Sequence, residues 1–175
     1  MTRCIVIPTL AATVLALGCA SPGAEPKAIF SSALNSVEDI LTRDGVAVDR
    51  EVSHDGQGAI RIEAEGDAAT STTVRLAEVE PKDAENVTLT YRAHLRSEGL
   101  TGKAYLEMWC SIPGKGEFFS RALDSPLTGS TEWVTQETPF FLDEGQRAQT
   151  VKLNLVIEGS GTVWVDDIVL VQAER

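Results

Sequence analysis

The segment Val151-Lys152-Leu153-Asn154-Leu155-Val156-Ile157-Glu158-Gly159-Ser160-Gly161-Thr162-Val163-Trp164-Val165-Asp166-Asp167-Ile168-Val169-Leu170-Val171 decides how this chain folds. In its first half Val151, Leu153, Leu155 and Ile157 alternate with Lys152, Asn154, Val156 and Glu158. Successive side chains on a strand point to opposite faces, so this period of two marks a strand with one dry face. Gly159-Ser160-Gly161 then supplies residues that tolerate tight backbone conformations. The second half, Thr162 to Val171, is apolar on both faces and reads as a central strand.

The same alternation recurs upstream. Val87, Leu89, Tyr91, Ala93 and Leu95 alternate with polar neighbours, and Ala104, Leu106, Met108, Cys110 and Ile112 alternate with Tyr105, Glu107, Trp109 and Ser111. Ile60-Arg61-Ile62 and Thr73-Val74-Arg75-Leu76 are shorter instances. Turn chemistry falls between them, at Asp55-Gly56-Gln57-Gly58, Pro113-Gly114-Lys115-Gly116 and Asp143-Glu144-Gly145. The second of these predicts a hairpin from the strand ending at Ile112 into Phe118–Leu123. Ser36 and Asp39, at capping-box spacing, predict the one helical turn, within Ser36–Arg43. Eight to ten strands with turns every 8–12 residues indicate a sandwich or barrel.

The chain begins Met1-Thr2-Arg3, followed by an apolar run from Cys4 to Gly18 and then Cys19-Ala20-Ser21-Pro22. One positive charge, an apolar core and small residues at the break make a secretory signal. A run of about 15 residues is too short for a spanning helix, which needs roughly 20. Leu15-Ala16-Leu17-Gly18-Cys19 resembles the lipobox of bacterial lipoproteins, in which the cysteine receives diacylglycerol. The resemblance implies a signal peptide over 1–18, a lipidated tether over 19–27 starting at Cys19, and a domain over 28–175. It implies a chain held to the membrane by its lipid and resident in the cell envelope, with Ala20 favouring the outer membrane of a Gram-negative cell. Several acyl chains on one cysteine anchor stably where a single chain does not.

Of the three cysteines, Cys4 leaves with the signal and Cys19 is acylated. Cys110 is then alone, and the domain holds together by its core rather than by a disulfide. The formal charge is −11, and loss of Arg3 makes it one unit more negative. Such a surface repels nucleic acid and keeps a tethered domain soluble.

The closing run, from Glu132-Trp133-Val134 through Gly159-Ser160-Gly161 to Val163-Trp164-Val165-Asp166-Asp167-Ile168-Val169-Leu170, resembles the ending of galactose-binding-domain-like jelly rolls. These include the carbohydrate-binding modules attached to cellulases and xylanases. His54-Asp55-Gly56-Gln57-Gly58-Ala59-Ile60-Arg61-Ile62 resembles an early turn and strand of that superfamily, so the likeness spans roughly residues 28 to 172. It implies a single all-β domain, an antiparallel jelly-roll β-sandwich. The family's opening Asn-Gly-x-Phe-Glu-like segment is replaced here by Ile29-Phe30-Ser31-Ser32. A fold shared by many binders does not fix the ligand.

Two constellations carry candidate chemistry. Tyr105, Glu107 and Trp109 share one strand face, and the hairpin brings Phe119 and Arg121 across from them. Aromatic rings flanked by hydrogen-bonding groups suit sugars, which present apolar C–H patches ringed by hydroxyls. Packing of Trp109 and Phe119 under a loop or a neighbouring sheet is the structural alternative.

The second constellation is Asp166 with Asp167. Adjacent strand residues face opposite ways, so one carboxylate enters a covered face, where it needs a cation, an arginine or backbone donors. The resemblance implies a structural Ca²⁺ held by Asp166 and Asp167 with help from the turn at Asp55; backbone amides at a loop are the alternative.

No HExxH, P-loop, dinucleotide fingerprint or nucleophile motif is present. His54 lies in a turn and His94 on a polar strand face. The leading expectation is a non-catalytic module that binds a glycan. A structural lipoprotein domain that pairs with an envelope protein is the alternative, and a small hydrolase stands third.

Overall fold

A computed structural model describes residues 25–67 and 69–175. The expected signal peptide, Cys19 and most of the tether lie outside the described residues. Among the described residues the nine strands are β1 (Lys27–Ser32), β2 (Val46–Asp49), β3 (Ala59–Ala64), β4 (Ser71–Val79), β5 (Glu85–Ile112), β6 (Gly116–Arg121), β7 (Leu127–Arg147), β8 (Thr150–Glu158) and β9 (Gly161–Glu174). All pairings are antiparallel. The single helical turn among the described residues is Val37–Asp39, a 3₁₀ turn capped reciprocally by Ser36 and Asp39 at the expected spacing.

The two alternating runs expected as separate strands are one strand, β5, which passes from one layer to the other. Its first half, Val87 to Glu98, pairs with β9, and its second half, Lys103 to Ser111, pairs with β8. One layer therefore runs β2, β3, β9, the first half of β5 and most of β7. The other runs β4, β8, the second half of β5 and β6. Their facing sides carry the alternating apolar residues predicted from sequence. Ile60, Ile62, Leu89, Leu95, Val163 and Val165 meet Val74, Leu76, Leu106, Met108, Leu153 and Leu155 in one core. Cys110 is free and fully buried within it, and burial pushes its thiol up to about 12.

β5 changes layer over Gly99-Leu100-Thr101-Gly102, against the Gly159–Gly161 turn. The amide of Thr101 donates to the Ser160 carbonyl at 2.9 Å. A Cβ on Gly102 would lie 2.2 Å from the Glu158 carbonyl oxygen. The two backbones cross in contact.

β9 does not keep one phase. Val163 and Val165 face the core, but so do Ile168 and Leu170. Strict alternation would put residues 163, 165, 167, 169 and 171 on one face, and a β-bulge breaks it. Arg92 pairs with Val169 and His94 with Asp166, so β9 spends one residue more than β5 over this interval. Asp167 adopts φ +51, a left-handed conformation that Asp tolerates better than most residues. On the other edge β3 pairs with Ile62-to-Ile60 against residues 163–165, and β1 takes over at residue 168. Asp166 and Asp167 thus sit at a gap in the ladder.

Candidate functional site

Register places the aromatic strip. On the outer face of the β4-β8-β5-β6 layer, Glu107 pairs with Arg121 on one side and Asn154 on the other, and Asn154 pairs with Arg75. These four residues make a polar row across four strands. Arg121 Nε donates to Glu107 Oε2 at 2.6 Å, Asn154 Nδ2 donates to Glu107 Oε1 at 3.1 Å, and Arg75 Nε donates to Asn154 Oδ1 at 3.3 Å. Both oxygens of Glu107 are therefore engaged. Burial pushes its carboxyl up, but the Trp109, Asn154 and Arg121 side chains together outweigh that and hold it below the usual range.

The next row is aromatic on β6 and β5 and continues to Lys152 on β8. Trp109 pairs with Phe119, their ring centroids 5.0 Å apart, and the Arg121 guanidinium lies 4.4 Å from the Phe119 centroid. Phe119 is 52% exposed and Trp109 half-buried. Tyr105 is different: it is buried, donates its hydroxyl to Glu158 Oε1 at 2.9 Å, and has Lys103 over its ring. Burial first, and the Glu158 carboxylate second, push its phenol up to about 12.

The five residues expected to share a face are brought together, with Tyr105 as support and Trp109 and Phe119 as the accessible surface. Sequence reasoning missed Asn154 and Arg75. The signal was there in Asn154, a polar residue on the otherwise apolar strand Val151–Ile157. Beside the strip, a groove lined by Arg121, Glu137, Phe140 and Phe141 runs between β6 and β7.

The two-layer sandwich has counterparts among solved structures. The chain is similar to the CBM22-1 xylan-binding domain of Paenibacillus barcinonensis Xyn10C, with TM-score 0.58 and 10% identity over 88% of this chain and 99% of that one. This is the fold of carbohydrate-binding modules.

A C-terminal family 22 carbohydrate-binding module of Clostridium thermocellum Xyn10B gives TM-score 0.54 at 8% identity, over 82% of this chain and 91% of that one. A family 16 carbohydrate-binding module gives 0.50 at 11% identity, over 72% and 84%. No protein-family model matches the sequence. No curated protein matches it either. At these identities the likeness shows the architecture, and the ligand has to be argued from the side chains.

The aspartates of β9 face opposite ways. Asp166 is fully buried, and its Oδ2 accepts from the His54 amide at 2.8 Å and more weakly from the Asp55 amide at 3.4 Å. Its Oδ1 accepts from the Asp167 amide at 2.9 Å. Burial raises its pKa, the His54 and Asp55 amides lower it, and the Asp167 and Asp55 carboxylates raise it again, with a net rise. Backbone amides at a loop, the alternative to a cation, thus supply donors to this buried carboxylate.

Asp55 offers its backbone to Asp166, while its own carboxylate is exposed and accepts from the Gln57 amide at 2.7 Å. Asp167 points away to the outer face, 3.3 Å from Nδ1 of His54. Among the described residues, three metal-capable side chains converge at one place, and they are His54, His94 and Asp167 rather than the three aspartates.

Proposed function

We propose that the chain is a lipid-anchored envelope protein whose non-catalytic sandwich binds a β-linked glycan chain of the xylan type along the strip of Trp109 and Phe119. The observation that carries the reading is the pairing of that aromatic row with the Arg121–Glu107–Asn154–Arg75 row. The rings supply apolar area for the sugar faces. The polar row is held in place before any ligand arrives, so little ordering is lost on binding. Xylan as the class follows from the family 22 neighbours, described as xylan-binding.

Glu107 is buried with both oxygens held by Arg121 and Asn154, so it fixes the Arg121 guanidinium beside the rings and ill suits a proton donor. The test is calorimetric titration of the purified protein with xylohexaose, cellohexaose and a galactan oligomer. Trp109→Ala should weaken binding of the preferred oligomer by about 2 kcal/mol, roughly 30-fold, as expected for a central aromatic anchor. The melting midpoint should stay close to that of the wild type. A Trp109→Ala protein that binds normally would remove the strip from the ligand's path.

One feature favours a second reading. Phe119 and Phe141 are both exposed along the groove between β6 and β7, apolar area that also fits an envelope protein. Failure of every glycan to bind, with retained self-association or partner capture through Phe141, would favour it.

Anchoring is supported by Leu15-Ala16-Leu17-Gly18-Cys19. Fatty-acid labelling in a bacterial host should mark the protein and vanish in Cys19→Ala. A labelled Cys19→Ala protein would refute the anchor at that residue.

A further inference from the structure

His54 comes from the loop between β2 and β3, His94 from the outer face of β5, and Asp167 from the bulge of β9. One ligand atom from each lies within 4.8 Å of the other two. The rings of His54 and His94 stack, with centroids 3.7 Å apart and an angle of 9° between planes, and Trp133 meets His54 edge-on at 5.8 Å. Imidazole lone pairs lie in the ring planes, so one ring of the stack turns before both nitrogens face a single ion.

His94 is oriented by Thr135, whose hydroxyl lies 3.2 Å from its Nδ1, which leaves Nε2 for a ligand. The neighbouring cation, Arg92, is occupied by Glu137 through two bonds of 2.8 and 3.0 Å. His94, Asp167, Ser31 and Ser32 line an open depression of about 420 Å³.

From these placements we infer that His54, His94 and Asp167 form a binding site for a divalent late transition metal, with Zn²⁺ as the representative ion. Two imidazole nitrogens with one carboxylate are the donor set of a zinc site that keeps an open position, whereas Ca²⁺ takes oxygen ligands. Bonds of about 2.0–2.1 Å put two ligands of one zinc ion roughly 3–3.5 Å apart. His54 Nδ1 and Asp167 Oδ2 already stand at 3.3 Å. His94 closes the remainder by rotation of a half-buried side chain. The fourth position opens on the depression, where water or an anionic or hydroxyl group of a ligand completes the shell.

The site lies on the layer opposite the aromatic strip, so the glycan reading and this one fail separately. The experiment is titration of Zn²⁺ into tag-free, chelator-treated full-length protein by calorimetry, with Ca²⁺ as the comparison ion. One Zn²⁺ per chain should bind, and His54→Ala, His94→Ala and Asp167→Asn should each weaken it more than tenfold. Asn tolerates the left-handed backbone at residue 167, so Asp167→Asn decides the matter where an alanine variant folds poorly. Co²⁺ in place of zinc should give visible d–d bands without a thiolate charge-transfer band, since Cys110 is buried elsewhere. Absence of Zn²⁺ binding at 100 µM, or binding that survives in Asp167→Asn and in the double histidine variant, would overturn the site.

Discussion

Gly102→Ala should destabilise the protein by about 3 kcal/mol or more, or prevent folding outright. The reason is the crossing of β5 from one layer to the other. At Gly102 an added Cβ would stand 2.2 Å from the carbonyl oxygen and 2.9 Å from the carbonyl carbon of Glu158. Both are backbone atoms of β8, and no rotamer can move them aside. Relief requires pulling β5 from β8 where Lys103 pairs with Glu158, which breaks ladder bonds that hold the second layer.

Gly99, three residues earlier, provides the control. It adopts φ +63 with nothing within 4 Å of its would-be Cβ, so Gly99→Ala pays only for the left-handed backbone, about 1–2 kcal/mol. Urea denaturation of both variants measures the difference. Equal costs would mean that the crossing is looser than its geometry implies. With total stability of only about 5–15 kcal/mol for a typical domain, the larger effect is a substantial fraction of the whole.

The same crossing explains where the sequence was readable. Alternation located β3, β4, β8, β9 and both halves of β5, because in each of them one face enters the core and the other does not. It could not show that the halves of β5 are continuous. Glu98-Gly99-Leu100-Thr101-Gly102 has turn composition, and its glycines serve close backbone approach instead. β7 escaped for another reason. Its buried positions include Gln136 and Thr138 alongside Leu127 and Leu142, so the inward face is half polar and leaves no apolar period.

Gln136 is buried because its side chain completes the ladder, accepting from the Leu106 amide at 2.6 Å and donating to the Ser125 carbonyl at 2.8 Å. The strip of Tyr105, Glu107, Trp109, Phe119 and Arg121 was legible because a hairpin fixes register locally. The convergence of His54, His94 and Asp167 was not, since it joins a loop and two strands whose alignment depends on a bulge. A bulge moves every later side chain to the other face, and Asp-Asp in a Val-rich strand does not announce one.

Asp166→Ala is the second large effect, about 2–4 kcal/mol of destabilisation. Asp166 joins the β2–β3 loop to the gap between β3 and β1 through the His54 and Asp167 amides, at 2.8 and 2.9 Å, with the 3.4 Å Asp55 contact contributing little. Hydrogen bonds to a charged group are worth about 1.5–3 kcal/mol each. Against them stands the cost of burying the carboxylate, expressed in its raised pKa. Removal recovers that cost and loses the bonds, so the net falls below their sum.

Asn is no remedy, because its amide nitrogen would meet backbone donors where the second oxygen had been, and Asp166→Asn should cost nearly as much. Amide exchange gives the local readout: His54 N–H should be protected in the wild type and unprotected in both variants. Calcium separates the two accounts of this aspartate. A cation bound by the folded state alone adds about 2.7 kcal/mol at 100 times its dissociation constant, which would raise the melting midpoint by roughly 5–10 °C in a domain of this size. If amides satisfy Asp166, millimolar calcium leaves the midpoint where chelator put it. A rise of that size in the wild type, absent from Asp166→Ala, would mean instead that the carboxylate shares its amides with an ion.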